Sequence, residues 1–307
     1  MVAKRDDVFP DAGASQPSGD SPLNLPPLPV AALLRTHGLA PRKSLGQNFL
    51  TDPAILRRIV EAAELPPQAE VLEIGPGLGS LTRVLAQVAR RVVAVELDHT
   101  LIPLLEEVVA PYGNVEVLHG DILKFNPAQL MPAAGYFVVA NIPYYITSAV
   151  MRHLLEAPVR PQRVVLTVQR EVAQRICAVP GEMSLLALSV QVYGTPHIAM
   201  RIPAGAFYPP PKVDSAVVRV DLSPQPRIPA GRLEIFFRLI RAGFSQKRKT
   251  LRNALSGGLG WTGARTEALL QQAGIDPNRR AESLALEEWA SLVEAYEQLE
   301  GGAEKES

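Results

Sequence analysis

Residues 70–168 alternate between short apolar runs and amphipathic segments, and this alternation restricts the fold more than any other feature of the chain. Strands that alternate with helices form a parallel sheet covered by helices on both faces, so we predict an α/β fold. Two later apolar runs bring the predicted sheet to seven mostly parallel strands. We place the strands at residues 70–74, 91–95, 115–118, 136–140, 164–168, 197–202 and 213–222.

A proline-rich segment at residues 223–229 separates this region from a second one in which the apolar patterns are helical. We predict a larger domain at residues 30–225 and a small C-terminal α-helical domain at residues 226–300. Residues 1–29 are rich in Pro, Gly, Ser and Asp, which favours a disordered N-terminal tail, and residues 301–307 are predicted to be a second tail. The predicted helices lie at residues 30–40, 53–64, 80–89, 101–110, 233–242, 247–255, 264–273 and 286–299.

The composition excludes several classes of protein. The chain has no apolar run near the roughly 18 residues that a membrane helix requires, and its start lacks the apolar stretch of a secretory signal. Its single cysteine, Cys177, excludes an internal disulfide, and its cysteine and histidines show no zinc-ligand spacing. We therefore expect a cytoplasmic protein that binds neither a membrane nor a metal ion, and we expect it to be a monomer.

A glycine-rich turn, EIGPGLGS, follows the first predicted strand at residues 73–80. Glycines at a strand-to-helix turn let a ligand approach the backbone closely, so Gly75 and Gly77 are candidate binding residues. A dinucleotide fingerprint would have its third glycine at position 80, where this chain has serine, and the Gly-Lys-Ser/Thr of a P-loop is missing. The spacing therefore disfavours an NAD-dependent dehydrogenase.

Three polar residues follow the next strands. Glu96 ends the second strand, Asp121 follows the third and Asn141 follows the fourth. A carboxylate at the second strand end can accept hydrogen bonds from both hydroxyls of a ribose, and one at the third can accept from an adenine amino group. Either acid alone would be read as a solvated strand-end residue. Because ligands of open α/β sheets bind at the carboxyl ends of the strands, the ordered set indicates a nucleoside-binding site.

This ordered set resembles the cofactor site of the class I methyltransferases, which have a Rossmann-like fold and use S-adenosyl-L-methionine. The motif NIPY at residues 141–144 is similar to the signature of methyltransferases that act on exocyclic amino nitrogens. The lone pair of such a nitrogen is delocalised into the ring. The Asn141 side-chain oxygen and the Ile142 carbonyl can accept its two protons and favour a more tetrahedral nitrogen, while Tyr144 offers a face for stacking.

A structural interpretation of the same motif remains open. Pro143 fixes its own φ and restricts Ile142, so the chain leaves the strand in an extended conformation. Asn141 then only bonds the backbone of its own turn, and Thr147 or Ser148 caps the helix that follows.

Further motifs narrow the resemblance to the ribosomal RNA adenine dimethyltransferases, and within them to the KsgA/RsmA type. They are RKSLGQNFL at residues 42–50, FYPPPKVDS at 207–215 and GFSQKRKTLRN at 243–253. That type dimethylates two adjacent adenosines near the 3′ end of small-subunit RNA, so the resemblance implies 16S rRNA within an immature small ribosomal subunit as the partner. It also implies that Phe207 stacks on the target base opposite Tyr144. The cofactor-binding residues that it implies are Gln47, Asn48, Leu50, Gly75, Gly77, Glu96, Leu97, Asp121, Ile122 and Asn141.

Residues 238–252 contain several cations and no acid, although the formal net charge of the chain is zero. Such a run is often a solvated helix face, but beside a site that methylates adenine it favours phosphate binding. The candidate RNA-binding residues are Arg42, Lys43, Arg241, Lys247, Arg248, Lys249 and Arg252.

Three other functions stay open at this point. The first is a resistance-type methyltransferase that acts on large-subunit RNA. The second is a DNA adenine methyltransferase, which would normally carry a target-recognition insertion that this sequence lacks. The third is an assembly factor that keeps the fold without the activity.

Overall fold

The computed structural model describes residues 25–303, and the side chains of residues 25–300. The predicted tail therefore lies outside the described residues over 1–24, as does the end of the second tail, 304–307. Residues 25–29 contact the folded domain, since Leu25 packs against buried side chains and the Pro26 carbonyl accepts a hydrogen bond from Arg83. The last helix continues to Ala303, into the segment predicted as the second tail.

A seven-stranded sheet forms the centre of the molecule, in the order β4-β3-β2-β5-β6-β9-β7. Strands β2 to β6 pair in parallel, whereas β9 is antiparallel to both of its neighbours. The predicted seven-stranded, mostly parallel α/β fold is confirmed. The strands are β1 Phe49–Leu50, β2 Glu70–Ile74, β3 Arg91–Glu96, β4 Val115–His119, β5 Phe137–Asn141, β6 Arg163–Gln169, β7 Gly194–Ile202, β8 Phe207–Tyr208 and β9 Ser215–Leu222.

Helices cover both faces of the sheet and form the C-terminal part of the chain. Three short helices, at Pro127–Leu130, Arg170–Ile176 and Leu185–Gln191, were not predicted. The helices are α1 Val30–Thr36, α2 Pro53–Ala63, α3 Ser80–Leu85, α4 Ile102–Val109, α5 Pro127–Leu130, α6 Thr147–Leu155, α7 Arg170–Ile176, α8 Leu185–Gln191, α9 Leu233–Phe244, α10 Leu251–Leu259, α11 Gly263–Gln272 and α12 Leu286–Ala303. No helix among the described residues is long and apolar enough to span a bilayer.

The beginning of α10 differs from the prediction. We expected this helix to start at Lys247, but it starts at Leu251, where the Thr250 hydroxyl accepts a hydrogen bond from the Asn253 amide. The Leu251 amide is held by the Arg279 carbonyl. The basic residues 247–249 therefore lie in the turn between α9 and α10.

Successive side chains of the central strands enter two different cores. On β5, Val138 and Ala140 belong to one cluster of buried residues, and Phe137 and Val139 to the other. Both faces of the strand are covered, which explains why the strands are continuous apolar runs rather than alternating ones. The polar strand ends are thus the positions at which these strands can present functional groups.

The C-terminal helices share the first of these cores with the sheet. Phe236 and Trp289 are fully buried in the same cluster as Val138. The connecting segment is fixed in place, because the amides of Ser223 and Arg227 donate to the carbonyls of Tyr193 and Val192, just after α8. The domain boundary at residues 225 and 226 stays a prediction, but the segment itself packs as part of the fold.

Candidate active site

A cavity of about 240 Å³ opens where the carboxyl ends of β2, β3 and β5 meet. Its lining combines four segments: the residues before α2, the glycine turn, the ends of β3 and β4, and the NIPY turn. Thirteen residues named from the sequence lie on it: Gln47, Asn48, Leu50, Gly75, Gly77, Glu96, Leu97, Asp121, Ile122, Asn141, Ile142, Pro143 and Tyr144.

The glycine turn requires glycine at its centre. Gly77 has a φ of 60°, which side-chain-bearing residues rarely adopt, and a Cβ there would lie 2.9 Å from the ring of Phe49. Its amide donates to Glu96 at 2.9 Å. The turn thus brings the backbone between β2 and α3 against both the cavity and the next strand.

Glu96 is buried at the end of β3, and both of its oxygens hold backbone amides. Oε2 accepts from Gly77 and Oε1 accepts from Asp98 at 2.8 Å. Burial raises the pKa of Glu96, and these two hydrogen bonds oppose the rise. A carboxylate oxygen can accept a second hydrogen bond, so this side chain can still receive two hydroxyls from the cavity.

Glu73, which also lines the cavity, is only 1% exposed, and its Oε2 has no hydrogen-bond partner among the described residues. Burial raises the pKa of this carboxyl to about 8, and the nearby charge of Glu96 adds to the rise. At neutral pH Glu73 is therefore mostly protonated, so that the cavity does not hold two charged carboxylates side by side.

Asn141 has a fixed orientation that leaves its oxygen available. Its Nδ2 donates to the backbone carbonyl of Asn48 at 3.1 Å, while Oδ1 accepts no hydrogen bond from a described residue. The purely structural interpretation required a partner in the turn of Asn141 itself. The observed partner, Asn48, lies in a distant segment of the chain. The Asn48 side chain in turn donates to the Gly46 carbonyl at 3.0 Å.

The aromatic residue of the motif is also held in place. Tyr144 opens a short 3-10 helix, and its hydroxyl makes a hydrogen bond of 2.6 Å to Ser215 Oγ at the start of β9. Burial raises the pKa of Tyr144, and the bond to Ser215 opposes the rise. The phenol therefore stays protonated, and its ring has one defined position beside Asn141.

Sequence reasoning missed Asp98, which is 2% exposed and lies two residues after Glu96. Its carboxylate accepts from Arg42 Nη1 at 3.0 Å, from Gln47 Nε2 at 2.8 Å, and from the Thr100 amide and hydroxyl at 3.1 and 2.7 Å. Burial alone would raise the pKa of Asp98, but these partners hold it below its usual value. A short VELD sequence gives no signal for this role, because the partners lie about 50 residues away.

The contacts of Asp98 change the interpretation of two predicted residues. Gln47 was predicted to bind the cofactor, but its Nε2 is engaged by Asp98 and its Oε1 accepts from the Arg42 amide at 2.7 Å. Arg42 was predicted to bind phosphate, but its guanidinium forms an ion pair with Asp98. The main contacts of both residues are therefore with Asp98, and they hold the segment before β1 against the end of β3.

Phe207 does not lie where the resemblance implies. Its side chain is 4% exposed, packs in the second core and is paired with Leu50 between β8 and β1, and it does not line the cavity. Stacking on a base would require the ring to leave this packed position. Tyr208, its neighbour on β8, is 39% exposed.

Most of the predicted RNA-binding cations of α9 and of the turn between α9 and α10 are exposed, as phosphate binding requires. Arg241, Lys247, Arg248 and Lys249 are exposed and form no ion pair with an acid in the described part of the chain. Arg252 differs, since its Nε lies 3.1 Å from Glu267 Oε2. No group of three or more metal-ligating side chains occurs among residues 25–300.

Comparison with known proteins decides the family. A model of the ribosomal RNA adenine dimethylases matches residues 38–298. The chain belongs to this family. The ribosomal RNA small subunit methyltransferase A of Dehalococcoides mccartyi strain CBDB1 is 49% identical over 266 residues, which cover 86% of this chain and 91% of that protein. The protein of the same name from Pelotomaculum thermopropionicum is 43% identical, and the match covers 88% of this chain and 96% of that protein.

Solved structures agree with this placement. The 23S rRNA methyltransferase ErmE is 32% identical, with a TM-score of 0.67 over 82% of this chain and 100% of its own. A dimethyladenosine transferase from Plasmodium falciparum is 25% identical, with a TM-score of 0.70 over 81% and 98%. The family that the sequence motifs suggest is confirmed, and so is the methyltransferase fold.

Proposed function

We propose that this protein is an S-adenosyl-L-methionine-dependent rRNA (adenine-N6,N6-)dimethyltransferase. Its substrates would be two adjacent adenosines near the 3′ end of 16S rRNA in an immature small ribosomal subunit. The observation that carries the proposal is the Asn141 amide, which lies in the same cavity as Glu96. Its nitrogen is fixed, and its oxygen accepts no hydrogen bond from residues 25–300. The names of the bacterial relatives support small-subunit RNA as the substrate.

The chemistry of the cavity fits an adenosine-containing cofactor. Glu96 would accept both ribose hydroxyls, Asp121 would accept the adenine amino group, and the turn at Gly75 would let the ligand approach the backbone. The apolar lining includes Leu101 and Ile122, which can contact the flat faces of the base. When bound, the cofactor supplies an electrophilic methyl group.

The NIPY turn would hold the target base. Asn141 Oδ1 and the Ile142 carbonyl accept the two protons of the adenine amino group and so direct its lone pair into the cavity. Tyr144, fixed by Ser215, offers its ring for stacking once the base has left its own stack. Hydrogen-bond acceptors are sufficient for this role, because the nitrogen becomes acidic as it gains the methyl group and its proton can then pass to solvent.

The basic turn would bind the RNA backbone. Arg241, Lys247, Arg248 and Lys249, together with Lys43, present exposed cations that can replace the counterions of several phosphates. We propose that the protein acts in the cytoplasm as a monomer and requires no metal ion.

Methyl transfer to purified ribosomal particles tests the proposal. The protein is incubated with tritium-labelled cofactor and either immature small subunits or large subunits, and the nucleosides are then separated by mass spectrometry. We expect N6,N6-dimethyladenosine from the small-subunit RNA alone. The similarity to ErmE makes large-subunit RNA the second candidate, and product from that RNA alone would identify it. No product from either particle would refute the enzymatic function.

A further inference from the structure

Residues 42–48 cross the mouth of the cavity ahead of β1, and Leu45, Gly46, Gln47 and Asn48 line it. Their internal order comes from a short 3-10 helix and from the amides of Gly46 and Gln47, which donate to the carbonyls of Lys43 and Arg42. We call residues 42–48 the covering segment.

Asp98 is the point at which the covering segment is attached to the sheet. The carboxylate is oriented by Thr100 in the same turn after β3, independently of the segment. Its two bonds to Arg42 and Gln47 then fix the segment at both ends of its turn. Asp98 is buried and Gln47 half-buried, so their bond is partly shielded from water, whereas the Arg42 side chain is 44% exposed and its bond is open to screening by salt.

The covering segment also determines the orientation of Asn141. The Asn48 carbonyl, which directly follows Gln47, accepts from Asn141 Nδ2. An Asn amide rotated by half a turn would present its NH₂ group, a donor, to the amino group of the target base. The bond to Asn48 therefore determines whether Asn141 can act as an acceptor.

We infer that Asp98 is a positioning residue for methyl transfer, which acts through Gln47 and Asn48 on the orientation of the Asn141 amide. The inference rests on the proposed function of Asn141. The inference concerns the chemical step rather than binding. Loss of the Asp98 attachment should lower the rate of methyl transfer even when cofactor and RNA are saturating.

A swap of hydrogen-bond polarity offers a matched test. In Asp98→Asn the new NH₂ group faces the NH₂ group of Gln47, and Gln47 cannot rotate without losing its bond from the Arg42 amide. In the double variant Asp98→Asn/Gln47→Glu the new amide donates to the new carboxylate, whose other oxygen still accepts from Arg42. Glu116→Gln, which removes an exposed ion pair with Arg91, is the control.

Two readouts are measured for each variant. Hydrogen exchange on the free protein reports the order of residues 42–50, and single-turnover methyl transfer at saturating cofactor and RNA reports the chemical step. In Asp98→Asn we expect faster exchange in this segment and a rate lowered about tenfold, the change that loss of one net hydrogen bond corresponds to. The double variant should recover both, and Glu116→Gln should alter neither.

Combination with Asn141→Ala separates positioning from general damage. If Asp98 acts through Asn141, adding Asp98→Asn to Asn141→Ala lowers the rate no further. Full additivity of the two losses, or an Asp98→Asn variant with wild-type exchange and wild-type rate, would overturn the inference. A wild-type protein that forms no methyladenosine would refute the proposed function itself, and an active wild type with unaffected variants would overturn only the role of Asp98.

Discussion

Removal of the Glu96 carboxylate should lower both the stability of the protein and its affinity for the cofactor, by amounts that two substitutions can separate. In Glu96→Ala the buried amides of Gly77 and Asp98 both lose their acceptor. An unpaired buried group costs about 1–3 kcal/mol, so the free energy of unfolding should fall by about 2–6 kcal/mol. That is a large part of the roughly 5–15 kcal/mol by which a typical protein is stable.

Glu96→Gln retains one acceptor oxygen and removes the charge. Only one of the two amides then lacks a partner, so the loss of unfolding free energy should be about 1–3 kcal/mol. One ribose hydroxyl would exchange a charged acceptor for a neutral one, at about 1 kcal/mol. The other would face the new NH₂ group and lose its charge-assisted bond, at about 2 kcal/mol, so cofactor binding should weaken by roughly 150-fold.

Urea unfolding and calorimetric titration with S-adenosyl-L-methionine measure the two effects separately. Glu116→Gln, an exposed glutamate on the neighbouring strand, should leave the cofactor affinity unchanged and alter stability by less than about 1 kcal/mol. A folded Glu96→Gln protein with wild-type affinity would refute the ribose assignment. Wild-type stability in Glu96→Ala would refute the structural role.

Two further predictions concern pH and salt. The pKa of Glu73 is about 8 in the folded protein against 4.5 for the free group, so the folded state binds more protons between these values. Stability should therefore fall by about 1.4 kcal/mol per pH unit over this window as the pH rises, and Glu73→Gln should remove this slope in urea unfolding at a series of pH values. Joint replacement of Lys247, Arg248 and Lys249 by alanine should lower the salt dependence of RNA binding by about 0.7–0.9 per lost phosphate contact, without a change in cofactor affinity. An unchanged salt slope would mean that these cations are only solvated.

The fold could be predicted from the sequence because its main signal is local. The strands β2, β3, β5 and β6 are buried over most of their length and are mainly apolar, whereas the edge strand β4 is not. The polar residues Glu96, Asp121 and Asn141 mark where the cavity lies. The start of α10 was predicted too early because the cations 247–249 fit a helical pattern, whereas the Thr250 cap and the contact with Arg279 place the first turn later.

The parts that the sequence could not predict depend on contacts between distant segments. Asp98 has the same residue type as a solvated strand-end acid, and only the fold brings Arg42 and Gln47 onto it. The resemblance supplies a residue type for Phe207 but not its packing, and the pairing of β8 with β1 buries its ring. The orientation of Asn141 likewise depends on a carbonyl from before β1.

The central claim is that Oδ1 of Asn141 accepts a hydrogen bond from the target amino group. Single-turnover methyl transfer to immature small subunits, followed by mass-spectrometric analysis of the nucleosides, tests this most directly. One preorganised acceptor is worth roughly 3–4 kcal/mol, so Asn141→Ala should lower the rate about 10²–10³-fold while RNA affinity changes little. Asn141→Asp should retain partial activity, and the ratio of mono- to dimethyladenosine should change because the monomethylated nitrogen has only one proton left. An Asn141→Ala protein with the wild-type rate and the wild-type product ratio would contradict the claim.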